Sequence, residues 1–363
     1  MSKNLFFEPV RIAKAIRWLL LEQNLDGSWG KNIIDKVRWT ANAVYSFHLL
    51  GLSAEFKPIK KAIEWLKKID ENHVEWYLRI PPLCAFGLKD WLNHKGDFNR
   101  IKQLFEKDSI GPLAIKSAIA LDLNESGVSL PNINQIESSV LSTLREEDND
   151  LFSFAGSTND TSLYCDFLNT LFPKKHNDII QKCLRWILIR KIENKDLNTI
   201  CWEKSYGKTA YVILNLLKFI KQKPKIRSLL PQVLEYYRPS HSGAIPPDNF
   251  PAHESKSSIY TTILFIRVYA KISEYHLDNY RELSVFLLEG IYKNLLFKKY
   301  VYRFIFFLLS AICLTSIVYL VKYVLGKHFL IAILTGLIAW FIPRFFNWLY
   351  KIFLKLIRNI WVY

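Results

Sequence analysis

The sequence predicts an all-α protein that ends in a membrane anchor. Three observations carry that prediction: apolar residues at helical spacing, short echoes of one segment along the chain, and two long uncharged runs near the C-terminus. Before Tyr300 there is no long alternating strand pattern, and apolar stretches are divided by polar turns. First helices of a pair are expected at about 10–23, 58–69, 98–107, 133–145, 177–191 and 225–237. Each is followed by a more apolar second helix, at about 39–50, 82–91, 112–121, 161–172, 209–221 and 258–271. Successive pairs start roughly 35 to 50 residues apart, the period of helical repeats.

The echoes sit at equivalent places. Ala15-Ile16-Arg17-Trp18-Leu19 reappears as Ala62-Ile63-Glu64-Trp65-Leu66 and as Cys183-Leu184-Arg185-Trp186-Ile187. Asp26-Gly27-Ser28-Trp29 has weaker counterparts in Asn72–Trp76 and Asn198–Trp202. Second helices tend to begin near a threonine, as at Thr40, Thr161, Thr209 and Thr261-Thr262. Six pairs could stack as an open solenoid or close into a ring, and periodicity alone allows both.

Gln23-Asn24-Leu25-Asp26-Gly27-Ser28-Trp29 is the strongest motif. The pattern Gln-x-x-Asp-Gly-Ser-Trp resembles the repeat signature of terpene cyclases and protein prenyltransferases, the squalene-hopene cyclase-like family. The resemblance covers about residues 9–272 at the level of architecture. It implies an (α/α)6 toroid over 1–275, with second helices ringing a central cavity that takes an isoprenoid or other apolar ligand. Within the motif, the Gln23 amide can bridge the turn and the next helix start. Asp26-Gly27 forms a tight turn with Gly27 free to take a positive φ, and Trp29 packs inward with its indole N–H on an acceptor. These four residues are read as a structural staple.

The C-terminal region reads as a connecting helix over 276–303, a transmembrane hairpin over 304–350 and a basic interfacial tail over 351–363. Phe304–Val321 is an 18-residue run without charge, and Phe329–Pro343 is one of 15 residues, extended by Phe345, Phe346, Trp348, Leu349 and Tyr350 if Arg344 snorkels. Lys298, Lys299, Arg303, Arg344, Lys351, Lys355 and Arg358 flank the hairpin on one side, against Lys322 and Lys327 in its linker. That bias places the toroid and both termini on the cytoplasmic side of the membrane. The tail alternates aromatic and basic residues as interfacial helices do.

The formal charge of +16 calls for an anionic partner. An anionic inner leaflet accounts for it better than nucleic acid, because no aromatic-interleaved binding motif accompanies the basic residues. The five cysteines, Cys84, Cys165, Cys183, Cys201 and Cys313, lack a paired spacing and read as reduced thiols. The first nine residues lack a long apolar core and read as a lead-in to the first helix, not a signal peptide.

The catalytic motifs that the resemblance would bring are absent. There is no Asp-x-Asp-Asp acid motif and no Asp-Asp-x-x-Asp diphosphate site; Leu121-Asp122-Leu123-Asn124 is the nearest string. Asp148 and Asp150 read as a solvated acidic loop. Asp160 and Asp166, six residues apart at the start of the fourth second helix, are candidate catalytic acids, although Asp160 ahead of Thr161 reads first as an N-cap. His253 and Glu254 join them from the Pro-rich stretch 240–256. His241, Asp248 and Cys165 are candidate ligand-binding residues. Zinc or magnesium could be held by such groups, but no metal-ligand spacing calls for either.

Two functions are expected from this reading. One is a membrane-anchored, terpene-cyclase-like or prenyltransferase-like protein that binds an isoprenoid or other lipid. The other is a non-catalytic sensor or partner-binding toroid coupled to a membrane-disrupting effector, as in a bacterial defence or stress response, and possible as a homo-oligomer.

Overall fold

Helix dominates the computed structural model, which describes residues 8–276 except 71, 74, 108, 149, 238, 240–242 and 247–256. The chain divides into two compact units, Met1–Phe286 and Leu287–Tyr363. The expected connecting helix, hairpin and tail lie outside the described residues. Among those described, no helix is long and apolar enough to cross a membrane.

The helices are α1 (Glu8–Leu21), α2 (Ile33–Leu49), α3 (Lys57–Lys67), α4 (Ile80–Ala85), α5 (Lys89–His94), α6 (Asp97–Glu106), α7 (Leu113–Glu125), α8 (Ile133–Leu141), α9 (Thr158–Leu171), α10 (Asn177–Ile189), α11 (Tyr206–Leu216), α12 (Pro224–Tyr236) and α13 (Ser257–His276). Local chemistry sets their starts. Asn32, Ser157 and Ser205 each cap a helix by accepting from the backbone N–H three residues on. Pro58 and Pro224 open α3 and α12, where a missing N–H costs nothing. Ser157, not Asp160, is therefore the cap of α9; Asp160 sits in its first turn.

The helical content agrees with the all-α expectation, and among the described residues two short antiparallel hairpins interrupt the helices. Strands β1 (Leu144–Glu147) and β2 (Leu151–Phe154) pair Leu144 with Phe154, and β3 (Ile192–Asn194) and β4 (Thr199–Cys201) pair Ile192 with Cys201. Each occupies the turn between a first helix and its partner. Strands of three or four residues are too short to show a period of two in sequence.

The second helices pack in a cycle. α2 lies on α4, α4 on α7, α7 on α9, α9 on α11, α11 on α13, and α13 on α2. Around them α3 covers α2, α8 covers α7, α10 covers α9 and α1 covers α13. Short α5 is an extra element between α4 and α6. A buried ion pair pins this region: Arg79 donates to both carboxylate oxygens of Asp97 at 2.8 and 2.9 Å, with its guanidinium beside Trp76 and Trp91.

One clasp recurs at the turns. The backbone N–H of Trp29 donates to Thr40 Oγ1, that of Phe154 to Thr161, that of Trp202 to Thr209 and that of Ile245 to Thr262, all at 2.9 Å. The indole N–H groups of Trp29 and Trp202 reach back to the carbonyls of Leu19 and Ile187. Both rings are fully buried. Gln23 donates to the carbonyls of Gly27 and Pro58, so its amide ties the first turn to the carbonyl side of the next helix's opening turn. Asp26 accepts from Ser28 and pairs with Lys36. Gly27, at φ +95°, presses so close to α3 that a Cβ would lie 2.7 Å from the Lys61 carbonyl oxygen.

Candidate functional site

The sequence puts polar residues on the otherwise apolar second helices at helical spacing. Arg38, Asn42 and Tyr45 occupy i, i+4 and i+7 of α2; Tyr211, Asn215 and Lys218 repeat that spacing from α11 into the turn after it. Asp122 and Glu125 share a face of α7, Asp166 stands on α9, and Tyr260 and Arg267 lie two turns apart on α13. Tyr45, Asp166 and Arg267 each stand five residues after the clasp threonine of their own helix.

The cycle of helices brings these residues together. Arg267 donates to Asn42 at 3.3 Å, and its guanidinium lies 4.8 Å from the centre of the Tyr45 ring. Tyr45 donates to Glu125 at 3.2 Å, and Lys218 pairs with the other oxygen of that carboxylate. Asn215 donates to Ser162. Tyr211 and Tyr260 share a hydroxyl–hydroxyl contact, with Arg38 paired to Glu75 nearby. Because Tyr260 faces Arg38 and Arg267 faces Asn42 and Tyr45, α13 and α2 run in the same direction; Ser162–Asn215 and Asp166–Lys218 say the same of α9 and α11.

The electrostatics follow from enclosure. Burial pushes the carboxyls of Asp122 and Asp166 up to about 6, with the Glu125 charge adding to both. Burial opposes ionised Glu125 too, but Lys218, Lys271 and Tyr45 together outweigh it and hold that carboxyl below its ordinary value. Desolvation weakens the Arg267 guanidinium; Asp122, Tyr45 and other neighbours more than offset this and raise it. Burial raises the Tyr45 and Tyr260 phenols. Asp122, Tyr45 and Arg267 are enclosed by protein yet keep some surface that water can touch. Charged groups thus meet between the second helices.

The candidates read from sequence scatter. Asp166 belongs to this interior and accepts from Thr170 at 2.9 Å. Asp160 lies near Glu203 and Lys208 at the start of α9, its carboxyl raised by burial. Cys165 is fully buried beside Cys183, and burial with that second thiol raises it; its place is the seam of α9 and α10. Asp150 pairs with Lys182 at the surface. His241, Asp248, His253 and Glu254 lie outside the described residues. Gly243, from the same stretch, seats against α1. Among the described residues, no group of three His, Cys, Asp or Glu side chains could hold a metal ion.

Motifs point to none of Glu125, Lys218, Arg267 and Tyr45, and to Asp122 only through the string nearest the absent acid motif. Their signal was the repeated i, i+4, i+7 polar spacing on apolar helices, which has meaning only once the helices are known to face one another. A separate cleft of about 80 Å³, lined by Phe105, Lys116 and Gln135 among others, lies among α6, α7 and α8. No family model, no curated protein and no solved structure matches this chain.

Proposed function

We propose that this chain is a membrane-tethered (α/α)6 toroid that binds a ligand or partner segment inside its ring and passes that event to its C-terminal apolar runs. The observation that supports this reading is the cycle in which α13 returns to α2 around charged, water-accessible side chains. Such walls favour a polar ligand, whereas a long hydrocarbon is favoured by apolar ones. In this reading the toroid is a non-catalytic sensor. The uncharged runs 304–321 and 329–343 are its tether and effector, with an anionic leaflet attracting the +16 charge.

A second reading is a divergent isoprenoid-handling protein. The Gln23–Trp29 clasp favours it, and so do Asp122 and Asp166, whose carboxyls at about 6 keep a proton close to neutral pH as a general acid must. Native mass spectrometry with extraction of small molecules from detergent-purified full-length protein separates the two. A retained polar molecule supports the sensor; a retained isoprenoid lost in Asp122→Asn and Asp166→Asn supports the enzyme. An empty protein whose liposome leakage is unaffected by substitutions in 304–343 sinks the sensor reading.

A further inference from the structure

The two ends of the helical unit carry opposite charge. Side-chain contacts bring the ends of four second helices together: His48 of α2 meets Phe86 beyond α4, Lys89 lies beside Gly127 beyond α7, and Glu125 of α7 binds both Tyr45 of α2 and Lys218 beyond α11. α9 runs beside α11 from Thr158–Glu203 to Ser162–Asn215, and α13 runs with α11 and α2, so their last turns lie at the same end. The turns at this end, 50–56, 86–96, 126–132, 172–176 and 217–223, hold seven lysines against Glu55 and Asp90. At the opposite end, the described residues of 22–32, 68–79, 107–112, 142–157 and 190–205 hold eleven carboxylates against nine basic side chains. The large apolar side chains that are exposed among the described residues, from Leu21 and Leu25 to Ile192 and Leu197, all lie within three residues of those latter turns.

Resting on the reading of the chain as membrane-tethered, the geometry points to the basic end as a docking face for anionic phospholipid headgroups, with the carboxylate-rich end turned away from the bilayer. Lys175 and Lys218 are paired to Glu137 and Glu125, but among the described residues Lys89, Lys95, Lys174, Lys221 and Lys223 have no carboxylate within ion-pair range. The first four of these five are exposed and Lys223 is half-exposed. A helix dipole favours cations at a C-terminus, but only within the last turn. Lys174, Lys221 and Lys223 stand beyond the ends of α9 and α11, so the dipole does not account for them. Ammonium groups spread over separate turns of one end match a plane of phosphates, where each adds about fivefold to binding. These turns hold no arginine, the side chain that reads bases through paired bonds, so they suit a headgroup layer better than a nucleic acid groove. α13 ends at the same face, so the chain leaves the described helices there, 27 residues before the uncharged run that begins at Phe304.

The test uses full-length protein in nanodiscs of phosphatidylcholine, alone or mixed with phosphatidylglycerol, and reads amide hydrogen exchange. Phosphatidylglycerol is expected to slow exchange about fivefold or more in 86–96, 172–176 and 217–223, and high salt to reverse the slowing by screening. Lys89→Gln, Lys95→Gln, Lys221→Gln and Lys223→Gln combined should abolish the slowing and leave Tm unchanged, because none of the four holds an ion pair. Leu25→Gln with Leu197→Gln, at the other end, should leave the slowing intact. Slowing confined to 22–32 and 190–205, or equal slowing in both lipids, overturns the proposal. So does a preference of the lysine turns for duplex DNA over phosphatidylglycerol vesicles. Flotation with vesicles separates this failure from that of the tether. If the protein floats with pure phosphatidylcholine and resists alkaline carbonate, but the lysine turns exchange alike in both lipids, the tether stands and the docking face falls. If it floats only with phosphatidylglycerol and salt strips it off, the docking face stands and the tether falls.

Discussion

The backbone of Gly243 lies against the carbonyl of Lys14 in α1, as that of Gly27 lies against the carbonyl of Lys61 in α3. Both glycines have positive φ and leave no room for a Cβ. The same clasp that joins the first turn to the next helix therefore joins the last turn back to the first. Arg11 and Glu235 pair beside it at 2.7 Å, although 224 residues apart. Repetition of one local device brings the two ends of the helical unit together.

Gly243→Ala should therefore cost about 3 kcal/mol or more, through a strained φ and a clash with backbone that cannot give way. Gly87→Ala is the matched control: its φ is +79° but nothing lies within 4 Å of the added carbon. Its cost should be about 1 kcal/mol. Chemical denaturation of the two variants measures the difference, and equal costs would show that closure at α1 contributes nothing.

Thr209→Val removes the acceptor of the buried Trp202 N–H while keeping the side-chain shape. The unsatisfied donor should destabilise by about 1–3 kcal/mol. Thr209→Ser restores the hydroxyl and should recover most of the loss. The same pair of changes at Thr161, under Phe154, should behave alike.

Asp122 and Asp166 make stability fall as pH rises. Their folded carboxyls titrate at about 6, against 3.8 for the ordinary value, so the folded state holds protons that the unfolded chain releases. Their contribution is most favourable below pH 3.8 and is lost as pH rises through 6. By pH 7 the loss approaches about 3 kcal/mol per group. Asp122→Asn and Asp166→Asn should raise Tm at pH 7.5 and change it little at pH 4. A uniform effect across that range would be evidence against the raised carboxyls.

Asp97→Ala strands the buried Arg79 guanidinium and should cost about 3–5 kcal/mol. Replacing both partners, as in Arg79→Met with Asp97→Leu, should recover much of that, since neither charge is then left unpaired. A double-mutant cycle on urea midpoints reads the coupling.

Part of the clasp could be read directly from residues. Gln23, Gly27 and Trp29 form a local motif whose bonds span a few turns, and local geometry follows from local sequence. Trp202 shares its bonding with Trp29 although its neighbours echo the motif only faintly; the indole and the threonine are what matter, not the intervening residues. The two hairpins escaped notice because three or four residues cannot display a period. Cys165 looked like a ligand beside Asp166, yet adjacent residues on a helix point about 100° apart, and its thiol enters the α9–α10 seam.

By itself, then, the sequence determined helix content, the repeat, the threonine at the head of most second helices and the apolar runs beyond residue 303, because each is written within one turn or one span of the chain. Tertiary structure alone decided that Arg267 of α13 lies over Tyr45 of α2, and that Asp122, Asp166 and Lys218 come within electrostatic reach of one another. Those meetings depend on how many pairs intervene and how far each is rotated against the next. No short-range pattern of residues encodes that sum.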